Sequence, residues 1–190
     1  MKKIFILLLL SIMPFQVFAQ NKNPIEVTAD NALEWNRAER TFTASGNAVI
    51  TQGESLISAP TVKAFYDEGD SITIRKVLAQ PNATLKQPDE TLTAKSIIAD
   101  FKNGVLATVT ATDNVVLKTG TETLFGDKAV YDAQKRVITV TGDVRIEQDK
   151  NILTGNKATF DMNTNISTMT ASPDKEGRVK ATFYSEGSDE

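Results

Sequence analysis

The 190-residue chain contains no cysteine and no histidine. Without cysteine there are no disulfide staples and no thiolate nucleophile, so stability must come from burial and strand pairing. Without histidine, the usual general base near neutral pH and the commonest metal ligand are both missing. A single Trp and an aromatic content of 7% leave little for stacking on sugars or bases. After the first twenty residues there is no second long apolar run, and no stretch sustains apolar spacing at three and four residues, so almost no helix is expected.

What is present begins with "MKKIFILLLLSIMPFQVFAQ": two lysines, an apolar run from Ile4 to Leu10, and small residues at Val17 and Ala19. This reads as a secretory signal over residues 1–19, cleaved after Ala19. Pro14 and Gln16 interrupt the run and argue against an uncleaved anchor. Removing the signal takes away two of the 21 basic residues, leaving 19 against 24 acids, a net charge of −5. Such a surface does not favour nucleic acid or an anionic membrane. The expected destination is outside the cytoplasm. Residues 20–185 read as one domain, and residues 186–190 as a flexible acidic tail.

That domain repeats itself. One series runs "ASGNAVI" (44–50), "AQPNATL" (79–85), "ATDNVVL" (111–117) and "VTGDVRI" (140–146). A second runs "VTADNALEWN" (27–36), "ISAPTVKAFYD" (57–67), "LTAKSIIADFKN" (92–103), "LFGDKAVYDAQ" (124–134) and "LTGNKATFDMN" (153–163). Both series drift together, so they are parts of one module, repeated about five times.

Within each module the period is two. Ile138, Val140, Gly142, Val144 and Ile146 share one face of an extended chain, and Thr139, Thr141, Asp143, Arg145 and Glu147 the other. The same phase runs through Phe42 to Ile50, Val77 to Leu85 and Val105 to Leu117. Each run is interrupted by Gly46-Asn47, Pro81-Asn82, Asp113-Asn114 or Gly142-Asp143, residues that tolerate a kink or bulge. The fold class is therefore all-β: an elongated, twisted, open β-jelly roll of about five repeated antiparallel modules enclosing a trough.

Several residues suggest other chemistry. Asp67, Asp132 and Asp161 recur behind an aromatic and read as turn formers, since equivalent positions do not give the unequal environments an acid-base pair needs. Trp35 fills the slot of Tyr66, Phe101, Tyr131 and Phe160 and reads as a packing aromatic. Gly126 and Gly155 lack a phosphate-loop consensus and mark turns or close strand approach. Calcium-binding nonapeptides are absent. No catalytic residue, metal site or cofactor is expected, and the chain does not read as an enzyme.

The segments "PIEVTADNALEWN", "FTASGNAVITQGESLISAPTV", "LTGNKATFD" and "SPDKEGRV" resemble the LptA-type, OstA-like family of lipopolysaccharide-transport proteins, from about Pro24 to Phe183. The resemblance implies a periplasmic bridge between an inner-membrane complex and an outer-membrane translocon, carrying lipopolysaccharide with its acyl chains in an apolar groove. It implies an LptC-like inner-membrane partner, an LptD-like outer-membrane partner, head-to-tail self-association, and a driving ATPase elsewhere. A structural or adhesive exported β-solenoid with a dry core, and an anchored LptC-like relative, are the alternatives.

The candidates for contact with the lipid A acyl chains are Ile25, Val27, Phe42, Ile50, Leu85, Ile97, Phe101, Leu117, Tyr131, Val144, Ile146 and Phe160. An apolar pocket uses the same side chains as a core, so sequence leaves both roles open for each. The first and last strands would present free edges to partners through Pro24, Ile25, Glu26 and Val27 and through Val179, Ala181 and Phe183.

Overall fold

The computed structural model describes residues 24–69, 71–171 and 177–184. The signal expected over residues 1–19, its cleavage after Ala19, and the acidic tail at 186–190 lie outside the described residues.

Fourteen strands form one antiparallel sheet, and no helix occurs among the described residues. In chain order they are β1 (Glu26–Thr28), β2 (Ala32–Asn36), β3 (Thr41–Gln52), β4 (Ser55–Glu68), β5 (Ile72–Gln80), β6 (Ala83–Lys86) and β7 (Thr91–Ala94). There follow β8 (Ser96–Lys102), β9 (Val105–Lys118), β10 (Glu122–Asp132), β11 (Val137–Gln148), β12 (Asn151–Asp161), β13 (Ile166–Thr170) and β14 (Lys180–Thr182).

The pairing gives the sheet two halves. β3 pairs β2 through its first half and β1 through its second, and β4 pairs β5 through one half and β6 through the other. At the far end β12 pairs both β13 and β14. Every rung is thus a strand folded at its middle. One half-sheet holds β2, β5, β8 and β13; the other holds β1, β6, β7 and β14; the long strands β3, β4 and β9 to β12 cross from one to the other.

The corners fall at the interruptions seen in sequence. Gly46 and Asn47 (φ 82° and 45°), Asn82 (51°), Asp113 and Asn114 (63° and 55°), and Gly142 and Asp143 (84° and 40°) all take left-handed backbone. Glycine accepts this conformation freely and Asn or Asp more readily than other residues. Register shifts at Ser45/Ala48 and Thr141/Val144 mark the same places as bulges. At Gly46 the neighbouring rung comes so close that a Cβ would lie 2.5 Å from Cγ of Asn31. A corner at Lys95 separates β7 from β8, where the Lys95 amide donates to the Asp113 carbonyl at 2.8 Å. Nothing in the local residue types announces it; the neighbouring rung's corner imposes it.

Side-chain size follows the fold. Next to the corners the inward residues are small, with Ala44, Ala48, Ala59, Ala79, Ala83, Ala94, Ala111 and Ala158 all buried. Toward the hairpin tips they grow: Ile57, Leu85, Leu92, Leu124 and Ile146 in one half, Tyr66, Tyr131 and Phe160 in the other. The hairpin tips of the two halves form two rows, the lips of the roll. One buried apolar cluster joins both halves.

The inward phase expected for Val105 is corrected. A register shift between Asp100 and Phe101 moves the pattern by one residue, so Leu106 is buried and Val105 is 59% exposed. Such a slip exchanges the two faces.

Candidate functional site

The inward faces of both halves define the candidate site. Of the residues expected to touch lipid, Ile50, Leu85, Ile97, Tyr131, Val144, Ile146 and Phe160 are buried inside the roll. Phe101 and Leu117 pack partly buried against the same cluster. Val27 and Ile25 stand at the first rung and are 38% and 53% exposed.

The first rungs leave open space at the N-terminal end. A cavity of about 280 Å³ is bounded there by Val27, Leu33, Trp35, Phe42, Ile50 and Val62, among others. Its aromatic wall is ordered by contacts: the Trp35 ring lies 5.1 Å from Phe42, and Phe42 lies 5.0 Å from Tyr66. The Trp35 indole Nε1 donates to the Tyr66 hydroxyl at 2.7 Å, and Arg37 stacks over Trp35 at 4.4 Å. Trp35 therefore packs as expected on one edge, yet it is 48% exposed, unlike its buried counterparts Tyr66, Tyr131 and Phe160. It belongs to an edge rung, with no strand covering its outer side.

In the middle of the roll, buried side chains occupy the interior. Among the described residues, small gaps there include one of about 20 Å³ bounded by Leu92, Val109 and Tyr131 and one of about 20 Å³ bounded by Glu90, Glu122, Ile146 and Phe160. They share Leu117, Leu124 and Ile138 as common walls, so they are neighbours along the roll. Leu85 and Ile97 are each 2% exposed.

The recurrent Asp residues do not form a chemical site. Asp132 Oδ1 accepts from the Lys135 amide at 2.9 Å, and Asp161 Oδ1 from the Asn163 amide at 2.8 Å and the Thr164 amide at 3.3 Å. These backbone donors are the largest cause holding both carboxyls below the usual range. Asn36 Oδ1 plays the same part in the first module by accepting from the Glu39 amide at 3.0 Å. Asp67 departs from the pattern: where Asp132 and Asp161 end their strands, β4 runs on to Glu68, and Asp67 faces Arg75 at 3.5 Å.

Sequence reasoning passed over Glu90 and Glu122. Both fall on the inward phase, two residues ahead of Leu92 and Leu124, and both are buried, at 7% and 6% exposure. The signal was the tripeptide "ETL", repeated 32 residues apart, where the flanking modules carry Ser55 and Asn151. Burial first, and neighbouring Asp89 second, push the Glu90 carboxyl from 4.5 up to about 7; burial also raises Glu122.

This has a measurable consequence. The folded chain holds the Glu90 proton more tightly than the unfolded chain, so its contribution is complete below about pH 4.5 and is lost as pH rises through about 7. The melting temperature should fall between about pH 5 and pH 8 by the equivalent of roughly 2–3 kcal/mol, and Glu90→Gln should flatten that slope. Calorimetric scans across this range would refute the assignment if wild type and variant showed the same slope.

The prospective partner edges are where the topology leaves them. Among the described residues, β1 and β2 pair only with β3, and β13 and β14 pair only with β12. Pro24 and Ile25 precede β1, which contains Glu26 and Val27; Val179 and Phe183 flank β14, which contains Ala181. Phe183 is 67% exposed and Val179 41%.

Residues 26–166 match the family described as "LptA/(LptD N-terminal domain) LPS transport protein". Among solved structures, one similar chain is LptH, described as the LptA homologous periplasmic component of the conserved lipopolysaccharide transport device from Pseudomonas aeruginosa. Its identity is 17%, over 86% of this chain and 96% of that one, with a TM-score of 0.38. No curated protein matches.

Proposed function

This chain belongs to the LptA/(LptD N-terminal domain) LPS transport protein family, and from that premise we propose that it is a periplasmic carrier of lipopolysaccharide whose two half-sheets hold the acyl chains between them. The observation that carries this reading is the continuous apolar interior, with small residues buried beside the corners and large ones toward the hairpin tips, together with the 280 Å³ cavity at the first rung.

Burying one methylene is worth about 0.8 kcal/mol, so a chain of roughly ten carbons gains about 8 kcal/mol by leaving water. A folded sheet with two rows of tips accepts tails between the lips while the sugars stay outside. Because the interior farther along is filled by residues such as Leu85 and Ile97, passage there requires the halves to part and these side chains to yield to acyl carbons. We take direction along the path to come from a coupled energy source outside this chain.

Partner contacts follow from the free edges. The β1/β2 rung and the β13/β14 rung each offer unpaired backbone donors and acceptors to a further strand. We assign the first edge, with Pro24 to Val27, and the last, with Val179, Ala181 and Phe183, to end-to-end copies and to LptC-like and LptD-like neighbours.

Lipid A added to the purified chain should raise its melting temperature, because a ligand bound only by the folded form at one hundred times its dissociation constant contributes about 2.7 kcal/mol. An unchanged melting temperature would favour a structural β-solenoid, the reading to which the filled middle of the interior lends support. In the source cell, depletion should strand newly made lipopolysaccharide at the inner membrane.

A further inference from the structure

Glu90 and Glu122 are out of place in an apolar interior. Glu90 immediately precedes β7 and Glu122 opens β10, at the lip of the same half-sheet, on hairpins either side of the end of β9, where Lys118 pairs with both Thr91 and Thr123. Their backbones are fully engaged. Gln87 and Glu90 exchange amide-to-carbonyl bonds of 2.8 and 3.3 Å, the Thr119 amide donates to the Glu122 carbonyl at 2.9 Å, and the Glu122 amide donates to Thr119 Oγ1 at 3.2 Å. These turns fix the two side chains pointing inward, into one gap.

There one oxygen of each carboxyl meets no protein donor. Oε2 of Glu90 and Oε1 of Glu122 are buried without a hydrogen-bond partner, and neither residue is in an ion pair among the described residues. A buried acceptor left unmatched costs about 1–3 kcal/mol, more for a charged one. Leucine or isoleucine would fill the slot without that cost, and the modules on either side use Ser55 and Asn151.

The geometry points to a receptor for a primary ammonium group borne on an alkyl chain, with the ammonium held by Glu90, Glu122 and Thr119 and the alkyl portion against Leu117, Leu124 and Ile146. The gap, about 20 Å³, admits one water-sized group. An ammonium offers three donors, matching the three oxygen-bearing side chains that line it. A planar guanidinium is too large. Calcium takes six to eight oxygens, and no group of three or more acidic, His or Cys side chains converges among the described residues. The remaining walls are apolar, which suits the carbon chain behind the charge. The site shares walls with the proposed lipid path and rests on that reading only for the accommodation of the tail.

The test is isothermal titration of the full folded chain at about pH 8 with dodecylammonium and with dodecanol, each below its micellar concentration. The amine should bind at least about tenfold tighter than the alcohol, as expected for charge-assisted hydrogen bonds. In E90Q/E122Q the two affinities should converge. Glu122→Gln alone, expected to lose most of the preference, replaces the double variant if that fails to fold. Equal affinities in the wild type, no binding of either compound, or a preference that survives in E90Q/E122Q overturns the proposal. So does binding of calcium chloride alone at micromolar concentration that is lost in the same variant, since that would make the pair a metal site. Lipid A is titrated in parallel. Its failure to bind would overturn the transport reading and leave the amine preference to its own result, whereas lipid A binding kept by E90Q/E122Q shows the two to be separate.

Discussion

Val140→Asp is expected to abolish stable folding, while Thr139→Asp one position away leaves it nearly unchanged. Val140 is fully buried, paired with Ala129 on one side and Ala158 on the other. The space around it is closed: a Cβ placed on Gly126 would lie 2.6 Å from Val140 Cγ1. A carboxylate there would have no donor and no room to reach water, and stranding an unpaired buried charge costs roughly 3–5 kcal/mol. That consumes much of the roughly 5–15 kcal/mol by which a domain is normally stable. Thr139 points to the outer face, where substitutions usually stay within about 0.5 kcal/mol. Urea unfolding followed by circular dichroism measures both. Equal midpoints would mean that the period-two assignment of faces is wrong.

Leu117→Asp should act on function instead. Leu117 is only partly buried, so the fold tolerates the change better than at Val140, yet it walls both internal gaps. A charge at that junction puts a hydrated group across the path of an acyl chain, and the loss of even three buried methylenes, at about 0.8 kcal/mol each, corresponds to more than tenfold in affinity. Lipopolysaccharide co-purifying with Leu117→Asp should drop by at least about tenfold with the β-sheet spectrum retained. Lys118→Asp, on the exposed face of the same strand, should leave it unchanged. Undiminished lipid on Leu117→Asp would place the acyl chains elsewhere.

Most of the architecture was legible because its determinants are local. Alternation at Ile138, Val140, Val144 and Ile146 specifies a buried face by period alone, and Gly46-Asn47, Asp113-Asn114 and Gly142-Asp143 mark corners because few other residues take left-handed backbone cheaply. The misreadings have non-local causes. The corner at Lys95 is imposed by the adjacent rung, and the slip that exposes Val105 and buries Leu106 comes from a bulge opposite Asp100 and Phe101. Asp67 shares its slot with Asp132 and Asp161, but an ion pair to Arg75 took the place of a turn bond.

The candidate site was legible only as a face. Whether Leu85 lines a path or plugs it depends on how far the halves stand apart, and no single strand encodes that spacing. Glu90 and Glu122 escaped notice because an acid at the start of a strand ordinarily points to water. Their burial depends on the opposite half-sheet, where Ile138 and Phe160 close over them.

The central claim is that acyl chains travel between the inner faces of the folded sheet. Photo-crosslinking amino acids placed at Leu85 and Leu117, which face inward, and at Thr84 and Arg145, which face outward, test it in living cells. Capture of lipopolysaccharide from the two inward positions and not from the outward pair is the result this account predicts; capture from Thr84 and Arg145 with none from Leu85 and Leu117 would contradict it.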